Sequence, residues 1–389
     1  MIKMISATVY KNSLNKFGEQ VCGDNYQLGK TEDSKLIILS DGMGSGIKAS
    51  ILSILTTEII GTMYKKGVKI EEIVDTITKT LPVCKVRGIA YSTFTLVQIF
   101  KSGKVKIINY DNPSPVILTK GELYKPKYIT KRINEKDIKI TEFEIFAEDF
   151  IFIMSDGLVH AGLGRLMNFG WGEENIANYL KRMYRKTREI KYIVDSLIAV
   201  TESYYGFEPG DDSTLIGIKS IENPIATIFT GPPLNPKTDE YYVKRFFSRI
   251  GKKVICGGTT SNIVSRVLDE EIEIKLEGEK LGKLPPTGTM KGVDLITEGV
   301  LTLKYLNRML DKCKDNMHEI NIPEKMNSGE KLFSILTECD EVNILVGRKV
   351  NAFYHNPNLP FDMSIRSTLI RGLSKNLERL GKTVNIEYC

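Results

Sequence analysis

The stretch ILSDGMGSG, Ile38 to Gly46, decides how this chain is read. An apolar run ends on Asp41, and three glycines (Gly42, Gly44 and Gly46) then crowd around Met43 and Ser45. KLIILS, residues 35–40, reads as a short buried strand. Residues 47–66, IKASILSILTTEIIGTMYKK, carry apolar side chains at helical spacing. The chain thus goes from strand to carboxylate to bare backbone to helix.

The same form recurs. DFIFIMSDG, residues 149–157, is a second continuous apolar run that ends on an aspartate, Asp156. Asp24 stands in VCGDNYQL, and Asp211 with Asp212 in PGDDSTLI, each at a strand edge or a glycine-containing turn. Taken singly, Asp beside Gly is ordinary turn chemistry. Several carboxylates gathered at strand ends make an oxygen-rich site, which selects hard cations such as Mg²⁺ or Mn²⁺. Like charges brought that close resist ionising, and a bound dication removes the penalty. Gly42 then lets backbone approach the ion and offers its carbonyl. Gly44 and Gly46 keep the mouth narrow and leave backbone N–H groups free before a helix start, which favours an anion. The loop lacks the Gly-Lys-Ser/Thr ending of a nucleotide P-loop, since Lys48 falls two residues past Gly46.

Bulk properties agree with a folded chain: 389 residues, 42% hydrophobic and 26% charged. At roughly 150 residues per domain this suggests two domains, or three. The net charge of +6 is spread thinly, with no run of five Lys or Arg, so no nucleic-acid partner is expected. The start, MIKMISATVYKNSLNKFG, shows no secretory signal. No window approaches about 18 unbroken apolar residues, so no membrane span is expected. Six cysteines (Cys22, Cys84, Cys256, Cys313, Cys339 and Cys389) form no CxxC pair, and there are only three histidines. A zinc site is therefore not expected, and scattered thiols fit a reducing cytoplasm.

Further along, EEIVDTITKTL reads as a second helix from Glu71. TFTLVQIF (93–100), KVKIINY (104–110), PVILTK (115–120) and IKITEFEIF (138–146) read as strands. Helices are expected over 173–185 and 189–204, and STLIGI (213–218) as a closing strand. Strands grouped between blocks of helices indicate α+β layers. The pattern changes near Glu222-Asn223-Pro224. ATIFTGPP, KKVICGGTTSN and VDLITEG each run from strand into a glycine turn and then a helix, which is α/β alternation. The expected domains are 1–220 and 221–389.

The set CGDNY, LSDGMGSG with its helix, TFTL, NPSPVIL, MSDGLVHA and GDDSTLIGI resembles the PPM-type metal-dependent protein phosphatases, within them the stage II sporulation protein E group. The resemblance spans about residues 1–220. It implies an αββα sandwich of two antiparallel sheets, followed here by a smaller α/β domain of regulatory or ligand-binding type. By position it implies Asp41, Asp156 and the Gly42 carbonyl as metal ligands, with Asp24 bound directly or through water. Asp211 is preferred over Asp212 as a further ligand, Asp212 then orienting its neighbour or a water. It implies two Mn²⁺ or Mg²⁺ ions activating a water to hydrolyse phosphoserine or phosphothreonine in a bacterial regulatory protein. Asp24, Asp41, Asp156 and Asp211 are thus the candidate catalytic residues. The alternative is a non-catalytic phosphoprotein-binding or small-molecule sensor module dominated by the C-terminal domain.

Departures from the family pattern are Met43, where many members have histidine, and Asp111 in NYDNPSPVIL. Lys11 and Lys16 are the cations available near Asp24 to grip phosphate, with a solvated role as the other reading. His160 reads as a core or helix-surface residue, Cys22 as a small apolar one, and Trp171 as the anchor of a helix start. In CGGTTSN, residues 256–262, a glycine turn precedes Thr259, Thr260 and Ser261. This reads either as helix capping or as a site for a small anion.

Overall fold

Ile37 and Leu39 point one way from their strand and Leu36 and Ile38 the other, yet all four are fully buried. A strand covered on both faces must lie in an inner layer. The computed structural model describes residues 4–81, 92–134, 136–164, 166–222, 224–275, 285–313, 323, 325–349 and 365–389. Cys84 and Asn223 lie outside the described residues. The chain divides into two compact units, Met1–Glu222 and Asn223–Cys389.

The first unit runs β1 (Ile5–Leu14), β2 (Asp24–Lys30), β3 (Ser34–Gly42), α1 (Gly46–Lys65), α2 (Ile70–Thr80), β4 (Ser92–Phe100), β5 (Lys104–Tyr110), β6 (Val116–Thr119), β7 (Glu122–Tyr124), β8 (Ile129–Ile133), β9 (Lys136–Glu144), β10 (Phe150–Met154), α3 (Asp156–Val159), α4 (Glu173–Lys186), α5 (Ile190–Tyr204) and β11 (Ser213–Glu222). Two antiparallel sheets result, ordered β1-β11-β10-β6-β7 and β2-β3-β4-β5-β9-β8. Ile37, Leu39, Val97 and Ile107 of one sheet meet Val9, Ile151, Ile153 and Ile216 of the other, forming the central core. Leu36, Ile38 and Leu96 face outward under Ile60, Ile73 and Ile77 of α1 and α2. Phe150, Phe152 and Leu215 face outward under α4 and α5, through Leu180, Val194 and Leu197. This is the αββα sandwich. Trp171 is buried ahead of α4, edge-on to Tyr179 and Tyr204.

α1 departs from the simplest reading of its sequence. Its buried residues are mostly small (Gly46, Ala49, Ser50, Ser53, Thr56, Thr57 and Gly61), with Ile60 the one large exception. Ile47, Ile51, Ile54 and Leu55 are exposed. The helix is long and apolar enough to cross a membrane by length and composition, but here it forms an outer layer over β2 and β3. The cause is the distance of approach. A Cβ on Gly42 would stand 2.0 Å from the Ala49 carbonyl oxygen, so only small side chains fit between helix and strand end. The buried hydroxyls of Ser53, Thr56 and Thr57 donate to carbonyls one turn back, which satisfies them within the helix.

The second unit runs β12 (Ile225–Thr230), α6 (Asp239–Ser248), β13 (Lys252–Cys256), α7 (Gly258–Leu268), β14 (Glu273–Lys275), β15 (Thr287–Met290), β16 (Val293–Thr297), α8 (Val300–Lys312), α9 (Ser328–Thr337), β17 (Glu341–Val346), α10 (Ile365–Arg379) and β18 (Thr383–Tyr388). The sheet order is β14-β15-β16-β13-β12-β17-β18, with β16 through β18 parallel and the β14–β15 edge antiparallel. Helices α8, α9 and α10 cover one face of this sheet, and α6 and α7 the other.

Candidate active site

Antiparallel register places Asp24 of β2 directly opposite Asp41 of β3. Like charges facing each other across a ladder are unfavourable, so this pairing needs a further cause. The other sheet supplies its own acids at the matching end. β10 stops at Met154, Ser155 precedes α3, and Asp156 opens that helical turn rather than ending the strand. β10 and β11 are neighbours, so the Asp211-Asp212 pair before Ser213 lies beside the Ser155 turn. Ser155 ties the two sheets together. Its backbone N–H donates to the Thr214 carbonyl at 3.1 Å, and its hydroxyl accepts from the Thr214 N–H at 2.8 Å. The same hydroxyl donates to Asp24 Oδ2 at 2.7 Å across 131 residues of chain.

The carboxyl groups act on one another. Burial pushes the Asp41 carboxyl up to about 9, and the charges of Asp24, Asp156 and Asp211 add to it, as does a hydrogen bond to the Asp156 carboxyl. Asp24 is pushed up to about 6, again chiefly by burial, with Thr214 and Ser155 donating to it and Asp212 and Asp156 repelling it. Asp211 is raised by burial and by Asp156, and the Lys16 charge offsets part of this. Asp212 is buried. Its Oδ1 accepts from the Lys16 N–H at 3.1 Å, and its Oδ2 lies where a Gly23 side chain would be, 2.8 Å from the Cβ position.

All six predicted site residues (Asp24, Asp41, Gly42, Asp156, Asp211 and Asp212) therefore come to one end of the sandwich. They meet pairwise. Among the described residues, no three acidic, histidine or cysteine side chains stand in a ready metal-holding group. Two observations fit a hard cation: Asp24 Oδ1 and Asp212 Oδ2 are buried without a hydrogen-bond partner, and the charged groups gathered here are carboxylates.

The glycines have a packing role that the sequence did not disclose. A Cβ on Gly157 would meet the Asp212 carbonyl oxygen at 2.2 Å, as one on Gly42 would meet Ala49. Each Asp-Gly pair lets its aspartate sit against a second segment of backbone. Tyr205 holds the second pair from behind, donating to the Gly157 carbonyl at 2.6 Å. Ser40, in the first pair's matching position, donates to the Thr93 carbonyl at 2.8 Å and joins Ser92, which donates to the Asp41 carbonyl.

The Asp111-Asn112 loop is structural. Asn112 and Asn109 form a buried network with Thr93 and Thr95, and Asp111 takes a positive φ of 59° beside it. The anion at the start of α1 is the chain's own. Ser45 donates to Glu19 Oε1 at 3.0 Å, and Glu19 fills the space beside Gly46. Lys11 lies over the Tyr26 ring, whereas the Lys16 charge acts on Asp211 and its backbone N–H donates to Asp212. His160 is half-exposed, with Nε2 4.0 Å from Asp156 Oδ2. Cys22 is half-buried, and burial together with Asp24 pushes its thiol up to about 12. Sequence reasoning missed Ser155, Glu19 and Tyr205. The repeated Ser-Asp-Gly triplet was a visible signal for the first, and nothing local marks the other two.

Residues 31–220 match the family of stage II sporulation protein E (SpoIIE). Among solved structures, the chain is similar to the PP2C phosphatase domain with a regulatory-domain fragment of the cell fate determinant SpoIIE from Bacillus subtilis. That likeness has 22% identity and a TM-score of 0.49, over 57% of this chain and 65% of that one. It is also similar to RsbX in complex with magnesium, at 20% identity and a TM-score of 0.40, over 56% of this chain and 96% of that one. The SiaA-PP2C domain of Pseudomonas aeruginosa gives 19% identity and a TM-score of 0.43, over 54% and 85%. No curated protein matches the chain. With the sandwich and its acidic end in place, residues 31–220, just under half of the chain, form a domain like those of the stage II sporulation protein E family of PPM-type protein phosphatases.

Proposed function

We propose that the first unit hydrolyses phosphoserine or phosphothreonine in a bacterial regulatory protein, with two Mn²⁺ or Mg²⁺ ions bound at its acidic end. The observation that carries this reading is the gathering of carboxylates from separate segments: Asp24 faces Asp41 across β2 and β3, and Ser155 joins Asp24 to the end of the other sheet, where Asp156 and the Asp211 turn lie. Asp24, Asp41, Asp156, Asp211 and the Gly42 carbonyl would hold the ions. When bound, divalent ions supply a water that ionises near neutral pH and positive charge for the phosphoryl oxygens. Ser155 fixes the Asp24 carboxylate from the opposite sheet, so both sheets contribute to one site at a set separation. Asp212 holds the Lys16 backbone, and the Lys16 charge, which acts on Asp211, would be available to an anionic substrate. Gly42 and Gly157 keep Asp41 and Asp156 against the α1 and Asp212 backbones. Turnover of p-nitrophenyl phosphate with Mn²⁺ tests the proposal. Asp41→Asn and Asp156→Asn should each lose nearly all activity while remaining folded, and wild-type turnover in either would refute it.

A further inference from the structure

In the second unit, the parallel strands β16, β13, β12 and β17 end together, and each chain leaves its strand through a glycine: Gly299, Gly257, Gly231 and Gly347. In open sheets of this kind, ligands bind outside the carboxyl ends of the strands. Two helices begin at this edge from adjacent strands. α8 is served by the chain's own acid, since the Glu298 carboxylate accepts from the Val300 and Leu301 amides at 3.1 and 2.7 Å. α7 has no such group. Its N-cap is Gly257, with φ of 128° and no side-chain cap. The first intrahelical bond is Ser261 N–H to the Gly257 carbonyl. The amides of Gly258, Thr259 and Thr260 therefore precede any intrahelical acceptor, and Gly258 and Thr259 are exposed.

An independent feature points to a ligand here. The Thr260 hydroxyl is buried with no hydrogen-bond partner, and the residue is 1% exposed. It is aimed back toward the helix mouth, 3.5 Å from where a Gly257 Cβ would stand. An unpaired buried hydroxyl is costly to keep, and a ligand oxygen would recover that cost. Three amides and one hydroxyl converging on the positive end of a helix suit a group with three or more acceptor oxygens. That favours a phosphate group over a carboxylate. We propose that the mouth of α7 binds the phosphate group of a small molecule through the Gly258, Thr259 and Thr260 amides and the Thr260 hydroxyl.

The test is a titration of the full chain with inorganic phosphate in the presence of chelator, followed by amide resonances. The Gly258, Thr259 and Thr260 amides should move saturably, and their failure to move overturns the site. Thr260→Val keeps the shape and removes the hydroxyl. It should weaken binding about tenfold while leaving p-nitrophenyl phosphate turnover with Mn²⁺ at the wild-type level. Gly258→Pro removes one amide donor at a first helical position, where proline is tolerated and nothing lies within 4 Å of the added Cβ. It should weaken binding by a similar factor. Wild-type phosphate affinity in both variants overturns the proposal. Adenosine 5′-monophosphate separates the sources of the phosphate group. Added shifts at Thr230 and Gly231 assign a nucleotide, and shifts confined to residues 258–260 assign phosphate alone.

Discussion

Gly157→Ala is the sharpest perturbation the structure offers. Gly157 lies in α3 and is absent from the positive-φ residues, so alanine brings no backbone strain of its own. What it brings is a methyl group 2.2 Å from the Asp212 carbonyl oxygen and 2.5 Å from Ser213 Oγ. The first contact is about 1.2 Å short of the 3.4 Å at which ordinary contact begins. The opposing atom is backbone next to Ser213, a residue fully buried at the start of β11, so no flexible side chain end can yield. α3 must move away from the Asp211-Asp212 turn, and Asp156 moves with it. Overpacking of this kind costs about 1–3 kcal/mol. In a unit of this size each kcal/mol lowers Tm by about 2–4 °C. A displacement near 1 Å between reacting groups costs about 10²-fold in rate. The expected variant is therefore folded, melts a few degrees below wild type, and turns over p-nitrophenyl phosphate about 10²-fold more slowly. Melting followed by circular dichroism and turnover with saturating Mn²⁺ measure the two effects. A variant with both Tm and turnover at the wild-type value would show that the close approach has no bearing on the site.

Ser155→Ala leaves Asp24 Oδ2 and the Thr214 amide without their shared partner, so it should cost about 1–3 kcal/mol and lower metal affinity in a calorimetric titration; an unchanged titration would count against the bridge between sheets. Lys16→Met should raise KM for p-nitrophenyl phosphate several-fold with kcat nearly kept, because the backbone bond to Asp212 survives; a fall in kcat alone would assign Lys16 a different task. The pH dependence has a definite sign. Asp24 at about 6 and Asp41 at about 9 are raised above the ordinary 3.8, so the folded chain keeps protons that the unfolded chain has released. Their contribution to stability therefore falls as pH rises from about 4 toward 9. In chelator, the Tm of wild type relative to Asp41→Asn should drop between pH 5 and pH 8, and Mg²⁺ should stabilise wild type more at pH 8 than at pH 5. A difference that grows with pH in chelator would contradict the burial of Asp41.

The central strands of the first unit were legible because burial on both faces leaves unbroken apolar runs, as in Leu36–Leu39 and Phe150–Met154. β1 and β2 lie at sheet edges, where a strand has one neighbour and alternates with polar residues, and nothing in ISATVYKNSL or DNYQLGK forced a strand. α1 was legible as a helix, but its buried face was not. Apolar periodicity marks a helix without telling which side is covered, and here the approach to Gly42 selected small residues instead. Residue type and position alone identified the acidic motifs, because an aspartate following a continuous apolar run is a local pattern. Tertiary structure decided that the charge of Asp156 bears on Asp41, that Ser155 reaches Asp24 from the opposite sheet, and that Glu19 takes the start of α1. These are contacts between segments tens to more than a hundred residues apart, set by how two sheets face each other. A local pattern names the groups that carry charge, but only the folded distances between them set how strongly each resists ionising.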